Sequence, residues 1–339
     1  NVTIENNVSS MPGGGVLASN SNPVFENCTI QNNNAAGDGG GFCFWGGSRP
    51  VLTSCLISGN TGSGEGGGIY TEGEKITMTR CTVVDNVSDA WNGGISVNAA
   101  AASLINCTIS GNSAPSGGGI EVWSDGNATI TNSIIWDNAP TAVSIWGYST
   151  SYVLINYSDI EGGWEGNYNL DTDPLFESAS TGDYGLQLVS PCIDAGSADV
   201  NQDGIDDITD YIGDAPDMGA FENSLVIPVP TGLQYNPYGS SILLSWVGSI
   251  ADNYKIERCL DSQFTGDVEE FFSTENNFTD SDLEPGTEYF YRVTAFYGNT
   301  WSDPSDVISA MIVPVPAGID YEVQNDGSVL LIWDADENA

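Results

Sequence analysis

Short apolar runs with period-two spacing recur along the first half of the chain at a nearly constant offset. Val2-Thr3-Ile4-Glu5-Asn6-Asn7 is answered by Cys28-Thr29-Ile30-Gln31-Asn32-Asn33, Cys55-Leu56-Ile57-Ser58-Gly59-Asn60 and Cys81-Thr82-Val83-Val84-Asp85-Asn86. Cys107-Thr108-Ile109-Ser110-Gly111-Asn112 and Ser133-Ile134-Ile135-Trp136-Asp137-Asn138 continue the series, which fades at Ser158-Asp159-Ile160. Successive blocks start 26, 27, 26, 26, 26 and 25 residues apart. A glycine run followed by an apolar residue keeps the same phase, as in Gly39-Gly40-Gly41-Phe42 and Gly117-Gly118-Gly119-Ile120. So does an alternating run just before each block, such as Ile76-Thr77-Met78 and Ala102-Ser103-Leu104. Each repeat therefore reads as three short strands separated by turn residues.

Three such strands cannot bury their own apolar faces. Successive repeats must stack, each strand pairing in parallel with its equivalent one turn on. The expected fold class is all-β, opening with a right-handed parallel β-helix of three strands per turn over residues 1–166, a rod about 30 Å long at the usual strand spacing. Ile4, Ile30, Ile57, Val83, Ile109, Ile135 and Ile160 form the expected inward stripe. Asn7, Asn33, Asn60, Asn86, Asn112 and Asn138 would share a corner suited to left-handed backbone, with amides bonded between turns. Cys28, Cys55, Cys81 and Cys107 would stack as buried thiols whose parallel Cβ vectors disfavour disulfides. The glycine runs precede strands, not helices, so they mark sharp corners and not a phosphate cradle.

Composition narrows the chemistry. The 339 residues carry 46 acidic and 6 basic side chains, no histidine, and a net charge of −40. Nucleic acid and acidic membrane surfaces are excluded as partners by repulsion. Without imidazole there is no histidine-based nucleophile, so any catalysis falls to carboxylates or a metal. No run of eighteen or more apolar residues is present, so no helical membrane span is expected. Glycine at 41 positions and a shortage of helix formers leave little room for α-helix.

Residues 167–224 hold 13 acidic side chains and no basic ones. They are expected to cap the rod and to hold Ca2+ in the loop 199–210. There Asp199, Asn201, Asp203, Asp207 and Asp210 occupy positions 1, 3, 5, 9 and 12, Gly204 position 6, and Ile205 offers its carbonyl at position 7. Beyond them, Val226-Ile227-Pro228-Val229-Pro230 recurs as Ile312-Val313-Pro314-Val315-Pro316, and Trp246 recurs as Trp333, at offsets of 86 and 87 residues. That length, with short alternating strands, predicts a β-sandwich over 225–313 and the start of a second over 314–339.

Trp45, Trp123 and Trp146 close the same strand in different coils, which makes them candidates to stack on sugar rings. Arg49, Lys75 and Arg80 are the rod's cations. Glu65, Glu72, Asp85, Asp89, Glu121 and Asp125 are the carboxylates from which a hydrolase would draw a pair.

Three resemblances follow from these words. The run Asn106-Cys107-Thr108-Ile109, then Gly111-Asn112-Ser113-Ala114 and Gly117-Gly118-Gly119-Ile120, resembles the pectate-lyase-like β-helix superfamily and the repeats of polymorphic outer-membrane proteins. The ordered words Tyr157-Ser158-Asp159-Ile160, Asp171-Thr172-Asp173-Pro174-Leu175-Phe176, Ser190-Pro191-Cys192-Ile193-Asp194-Ala195-Gly196 and Asp217-Met218-Gly219-Ala220-Phe221-Glu222 resemble bacterial and archaeal secreted choice-of-anchor Q proteins. Leu243-Leu244-Ser245-Trp246, Leu283-Glu284-Pro285-Gly286-Thr287-Glu288-Tyr289 and Tyr291-Arg292-Val293-Thr294-Ala295 resemble fibronectin type III. Together they imply an extracellular or surface-attached bacterial or archaeal protein. Its expected work is structural or adhesive, binding glycans or matrix components or assembling with itself into a fibre. Polysaccharide cleavage by a lyase or glycosidase is the rival expectation.

Overall fold

The computed structural model describes residues 1–147, 150–223, 227–248, 251–297, 300–313 and 320–332. The chain divides into two compact units, Asn1–Ser224 and Leu225–Ala339.

The first unit is the coil that the repeat predicts. One seven-stranded sheet runs from Thr3–Glu5 through Thr29–Gln31, Leu56–Ser58, Thr82–Val84, Thr108–Ser110 and Ile134–Trp136 to Asp159–Ile160. Every pairing is parallel, and Ile4, Ile30, Ile57, Val83, Ile109, Ile135 and Ile160 stand directly over one another. Two six-stranded sheets complete the coil. One holds Val16–Ser19, Phe42–Trp45, Ile69–Glu72, Ile95–Asn98, Ile120–Trp123 and Val143–Trp146, and the other the alternating runs from Val24–Glu26 to Tyr152–Asn156. Their inward residues fuse into one core, with Ile30, Ile57, Phe42, Ile95 and Ile109 wholly buried. Each such side chain contributes about 1.5–3 kcal/mol of burial.

A fourth ribbon departs from the three-strand expectation. Val8–Ser9, Asn34–Ala35, Thr61–Gly62 and Val87–Ser88 pair in parallel just after the asparagine corner. At two residues per coil they are too short to announce a period in sequence. The corner itself also differs in detail. The left-handed residues are Asn6, Asn32, Gly59, Asp85, Gly111 and Asp137, one place before the ladder asparagines. This frees Asn7, Asn33, Asn60, Asn86, Asn112 and Asn138 to turn inward. Each amide donates to the next one's Oδ1 at 2.9–3.0 Å. The glycine corner is as tight as expected: a Cβ on Gly40 would lie 2.4 Å from the Gly67 carbonyl oxygen of the following coil.

The four stacked cysteines are buried free thiols. The far end of the coil is closed by residues 161–170, with Trp164 packed on the core and Leu170 bonded to Ser158 and Ile160. The rest of the acidic segment does not sit over that end, as a simple cap would. It folds back along the outside of the seven-stranded sheet, because outward-facing Ile134 needs apolar cover and finds it in Leu186, Cys192 and Met218. Hydrogen bonds fasten it there: Gly219 N–H donates to the Asn132 carbonyl, the Asn106 side-chain amide to the Asp217 carbonyl, and Ala220 N–H to Thr108 Oγ1.

In the second unit, Thr231–Tyr238, Ser241–Val247 and Asn277–Asp280 form one antiparallel sheet. Glu269–Ser273, Asn253–Cys259, Glu288–Tyr297, Thr300–Trp301 and Ile308–Met311 form the other. Trp246 is buried between them and meets the Tyr254 ring at 5.3 Å. Tyr289 closes the expected corner, its hydroxyl accepting the Glu284 N–H at 3.2 Å. In the segment where the start of a second sandwich is expected, Asp320–Val323 pairs with Val329–Ile332. The joint at 224–226, residues 314–319 and Trp333 lie outside the described residues.

Candidate functional site

The outer face of the sheet carrying Trp45 presents three columns of side chains, one residue per coil. The register Tyr70↔Ser96↔Glu121↔Ser144 gives the middle column. Glu72↔Asn98↔Trp123↔Trp146 gives the column two residues further on. On the other side, the corner residues that precede the glycine runs, Asp38, Glu65 and Trp91, form the third. Gly39 N–H donates to the Glu65 carbonyl, and Gly117 N–H to that of Trp91.

Between these columns lies a cleft of ≈ 220 Å³ lined by Glu65, Trp91, Glu121, Trp123 and Trp146. Trp123 Nε1 donates to Ser96 Oγ at 3.2 Å, and Ser96 Oγ donates to Glu65 Oε2 at 3.1 Å. Indole and carboxylate are thereby fixed to one another through the coil between them. Glu121 is 3 % exposed, and its Oε1 is 3.5 Å from Ser144 Oγ. Burial pushes Glu65 up to about 7, reinforced by the negative charges of Asp38 and Glu121 against the pull of Ser96. Burial raises Glu121 as well. Two carboxyl groups two coils apart, about 10 Å along the axis, thus share a water-poor wall with three indoles.

Behind Glu121 stands Asn92, 0 % exposed, with neither Oδ1 nor Nδ2 hydrogen-bonded. Its Nδ2 lies 3.0 Å from where a Cβ on Gly117 would be, with Ser144 Oγ at 3.2 Å and Glu121 Oε1 at 3.6 Å from the same point. Three polar atoms therefore converge on a backbone without a side chain. Trp91 and Asn92 were not among the residues expected from sequence. The signal was there, since Asn92 stands where Gly39 and Gly66 open the glycine run of their coils.

Of the three expected tryptophans, the register brings Trp123 and Trp146 together and leaves Trp45 apart. Glu72 and Asn98 intervene in the column, so Trp45 lies three coils, about 14 Å, from Trp123. Its Nε1 is buried without a partner. The cations do not converge. Arg49 pairs with Glu74 at 3.1 Å, and Arg80 grips both carboxylate oxygens of Asp210 at 2.5 and 2.7 Å.

That grip also bears on the acidic loop. Asp199 accepts the Asp203 and Gly204 N–H groups, Asn201 Oδ1 accepts Asp203 N–H, and Asp207 accepts Val200 and Asn201 N–H. Asp203 in turn accepts Ile205 N–H. These residues share one turn-rich loop, while Asp210, expected at its twelfth position, is held bidentately by Arg80. Among the described residues no three His, Cys, Asp or Glu side chains gather into a preformed metal cage. The loop thus offers a cation Asp199, Asn201, Asp203, Asp207 and the Ile205 carbonyl, without the twelfth donor.

Comparison with known proteins agrees with the architecture. The family model "Right handed beta helix region" matches residues 1–125 and 86–182, more than half of the chain, and the chain belongs to that family. The fibronectin type III domain model matches residues 228–311. Among solved structures, the FN5 domain of Drosophila Lar is 25% identical over 26% of this chain and 100% of its own, with a TM-score of 0.24. A Fn3-like protein from Clostridium thermocellum is 24% identical over 26% of this chain and 97% of its own, with a TM-score of 0.23. No curated protein sequence matches the chain.

Proposed function

We infer that this chain, in which a right-handed β-helix is joined to a fibronectin type III domain, works outside the cell or at its surface. We propose that this one is a glycan-binding rod of the bacterial or archaeal cell surface, and that the cleft at Trp91, Trp123 and Trp146 is where it binds. The observation that carries the reading is the in-register pair Trp123↔Trp146 facing Trp91 across a half-open cleft. Indole faces hold the C–H faces of sugar rings, and neighbouring carboxyl and amide groups take the hydroxyls. Isothermal titration of the full chain against soluble oligosaccharides tests this. Saturable binding that disappears in Trp123→Ala, while Trp45→Ala leaves it intact, is the expected result. Equal loss in both variants, or binding in neither protein, refutes the site.

A second reading is favoured by one feature, the raised carboxyl of Glu65 opposite Glu121. A glycosidase uses two carboxyls, one protonated to donate to the leaving oxygen and one ionised, and the axial spacing of about 10 Å here is nearer the about 6.5–9.5 Å of inverting enzymes than the about 5 Å of retaining ones. Release of reducing ends from a bound oligosaccharide, lost in Glu65→Gln, would place the protein among hydrolases. Binding without product leaves it an adhesin.

The acidic loop completes the proposal. We infer a structural Ca2+ held by Asp199, Asn201, Asp203, Asp207 and the Ile205 carbonyl, and surface attachment of the choice-of-anchor Q kind. A bound ion stabilises only the state that holds it. Melting with and without chelator is therefore expected to separate, and coincident melts would remove calcium from the account.

A further inference from the structure

The glycan reading leaves open what charge the ligand carries, and the walls of the cleft speak to that. Its lining contains two carboxyl groups and three indoles and no basic side chain. Among the described residues neither Glu65 nor Glu121 takes part in an ion pair, whereas the rod's arginines are already committed to Glu74 and Asp210. The protein thus buries carboxyl groups here without supplying the positive partner that ordinarily compensates their charge. Indole faces attract cations through the ring quadrupole, and a chain of net charge −40 concentrates cations at its surface. A uronate would set a further anion against Glu65, Glu121 and Asp38. A neutral sugar would offer the carboxyls hydroxyl hydrogen bonds but no opposite charge.

We propose that the cleft selects a positively charged saccharide, an amino sugar whose ammonium faces Glu65 and Glu121 while its ring lies on Trp123 and Trp146. This rests on the glycan reading of the same cleft and adds the class of sugar. Binding would draw Glu65 toward its ionised form. The groups facing it are Asp38 from the preceding coil, Ser96 and Tyr70 from the sheet, and Glu121, none of which is cationic.

Titration of the full chain with three probes of equal length tests it: a glucosamine tetramer, its N-acetylated counterpart and a galacturonate tetramer. The glucosamine tetramer is expected to bind at least tenfold more tightly than the acetylated one, to weaken with added salt, and to release protons near pH 7. The galacturonate should not bind. Glu65→Gln and Glu121→Gln are each expected to cost about tenfold for the glucosamine tetramer, the scale of one charge-assisted hydrogen bond, and to weaken the acetylated tetramer by a smaller factor. Far-UV circular dichroism confirms that both variants keep the coil. The salt and proton readings on the unaltered chain decide the matter if either variant loses it. Equal affinity for the charged and acetylated tetramers, without salt dependence, overturns the charge selectivity and leaves glycan binding standing. Binding of none of the three overturns both.

Discussion

Replacing Asn86 with alanine tests whether the asparagine corner holds the coils together or merely decorates them. Asn86 is fully buried, and its Nδ2 donates to Ile57 O and Asn112 Oδ1, each at 2.9 Å. Its Oδ1 accepts Asn60 N–H at 3.0 Å and Asn60 Nδ2 at 2.9 Å. Alanine removes all of these at once. Asn112 keeps the Asn86 N–H and Asn60 Nδ2 keeps the Ile30 carbonyl, but Asn60 N–H loses its acceptor and Ile57 O its amide donor. At about 1–3 kcal/mol for each buried group left unpaired, the loss is about 3–5 kcal/mol. Asn7 supplies an internal control. It is exposed and donates only one amide bond down the ladder, at 2.9 Å, so Asn7→Ala should cost less than about 1 kcal/mol. Urea unfolding of the full chain, followed by circular dichroism and by the rod's tryptophan emission, separates the two. The midpoint of Asn86→Ala should fall by about 1 M or more, taking a slope of 2–3 kcal/mol per M. Equal effects of the two substitutions would refute the ladder as a source of cohesion.

Three further outcomes are expected. Arg80→Ala should leave the melting of the coil almost unchanged, since Asp210 is 69 % exposed and such pairs contribute little; limited proteolysis should nevertheless cut faster within 199–215, and an unchanged cleavage rate would show that other contacts hold the segment. Acidity should stabilise the first unit. Asp159 and Asp217 are raised from 3.8 to about 6 and about 7, and Glu65 from 4.5 to about 7, chiefly by burial, so the fold prefers their protonated forms. That preference is fully expressed below about pH 4 and is lost as pH rises through 6 to 7. Asp210, held below the usual carboxylate range by hydrogen bonds from Arg80, acts in the opposite sense only below that window. The melting temperature should therefore rise from pH 8 to pH 5, and a fall over that range would contradict the assignment. Finally, Gly40→Ala should prevent the coil from closing locally, because the new Cβ would meet Gly67 O at 2.4 Å and Thr61 O at 2.5 Å; loss of soluble, folded protein on expression checks it.

The coil was legible in sequence because its strands are tied to a repeat. Once Ile30, Ile57, Val83 and Ile109 fall at equal intervals, their superposition follows from geometry alone. The two-residue ribbon at Asn34–Ala35 was not legible, since so short a strand is stabilised by the coils on either side and leaves no period of its own. The placement of the acidic segment was hidden for a different reason. What draws it to the side of the rod is outward-facing Ile134 and Trp136, whose equivalents one coil earlier, Thr108 and Ser110, are polar. For the cleft, Glu65 and Glu121 were both visible as candidate carboxylates, and Trp123 and Trp146 as candidate stacking residues. Their meeting depends on the corner column lying against the strand column, which a linear reading does not show. Trp45 looked equivalent to Trp123 by phase, but phase says nothing about how many coils lie between.

The constant pitch of the coil has a consequence for how such a chain can change length. A duplicated or deleted segment of 26 residues would slide every later layer by one rung and leave each layer's neighbours chemically the same, with the inward isoleucines and the bonded amides simply gaining or losing a member. Growth is therefore nearly silent at most heights. It is not silent between Glu65 and Trp146, where residues from four successive layers meet, so any lengthening that preserves binding has to be spliced in above or below that window.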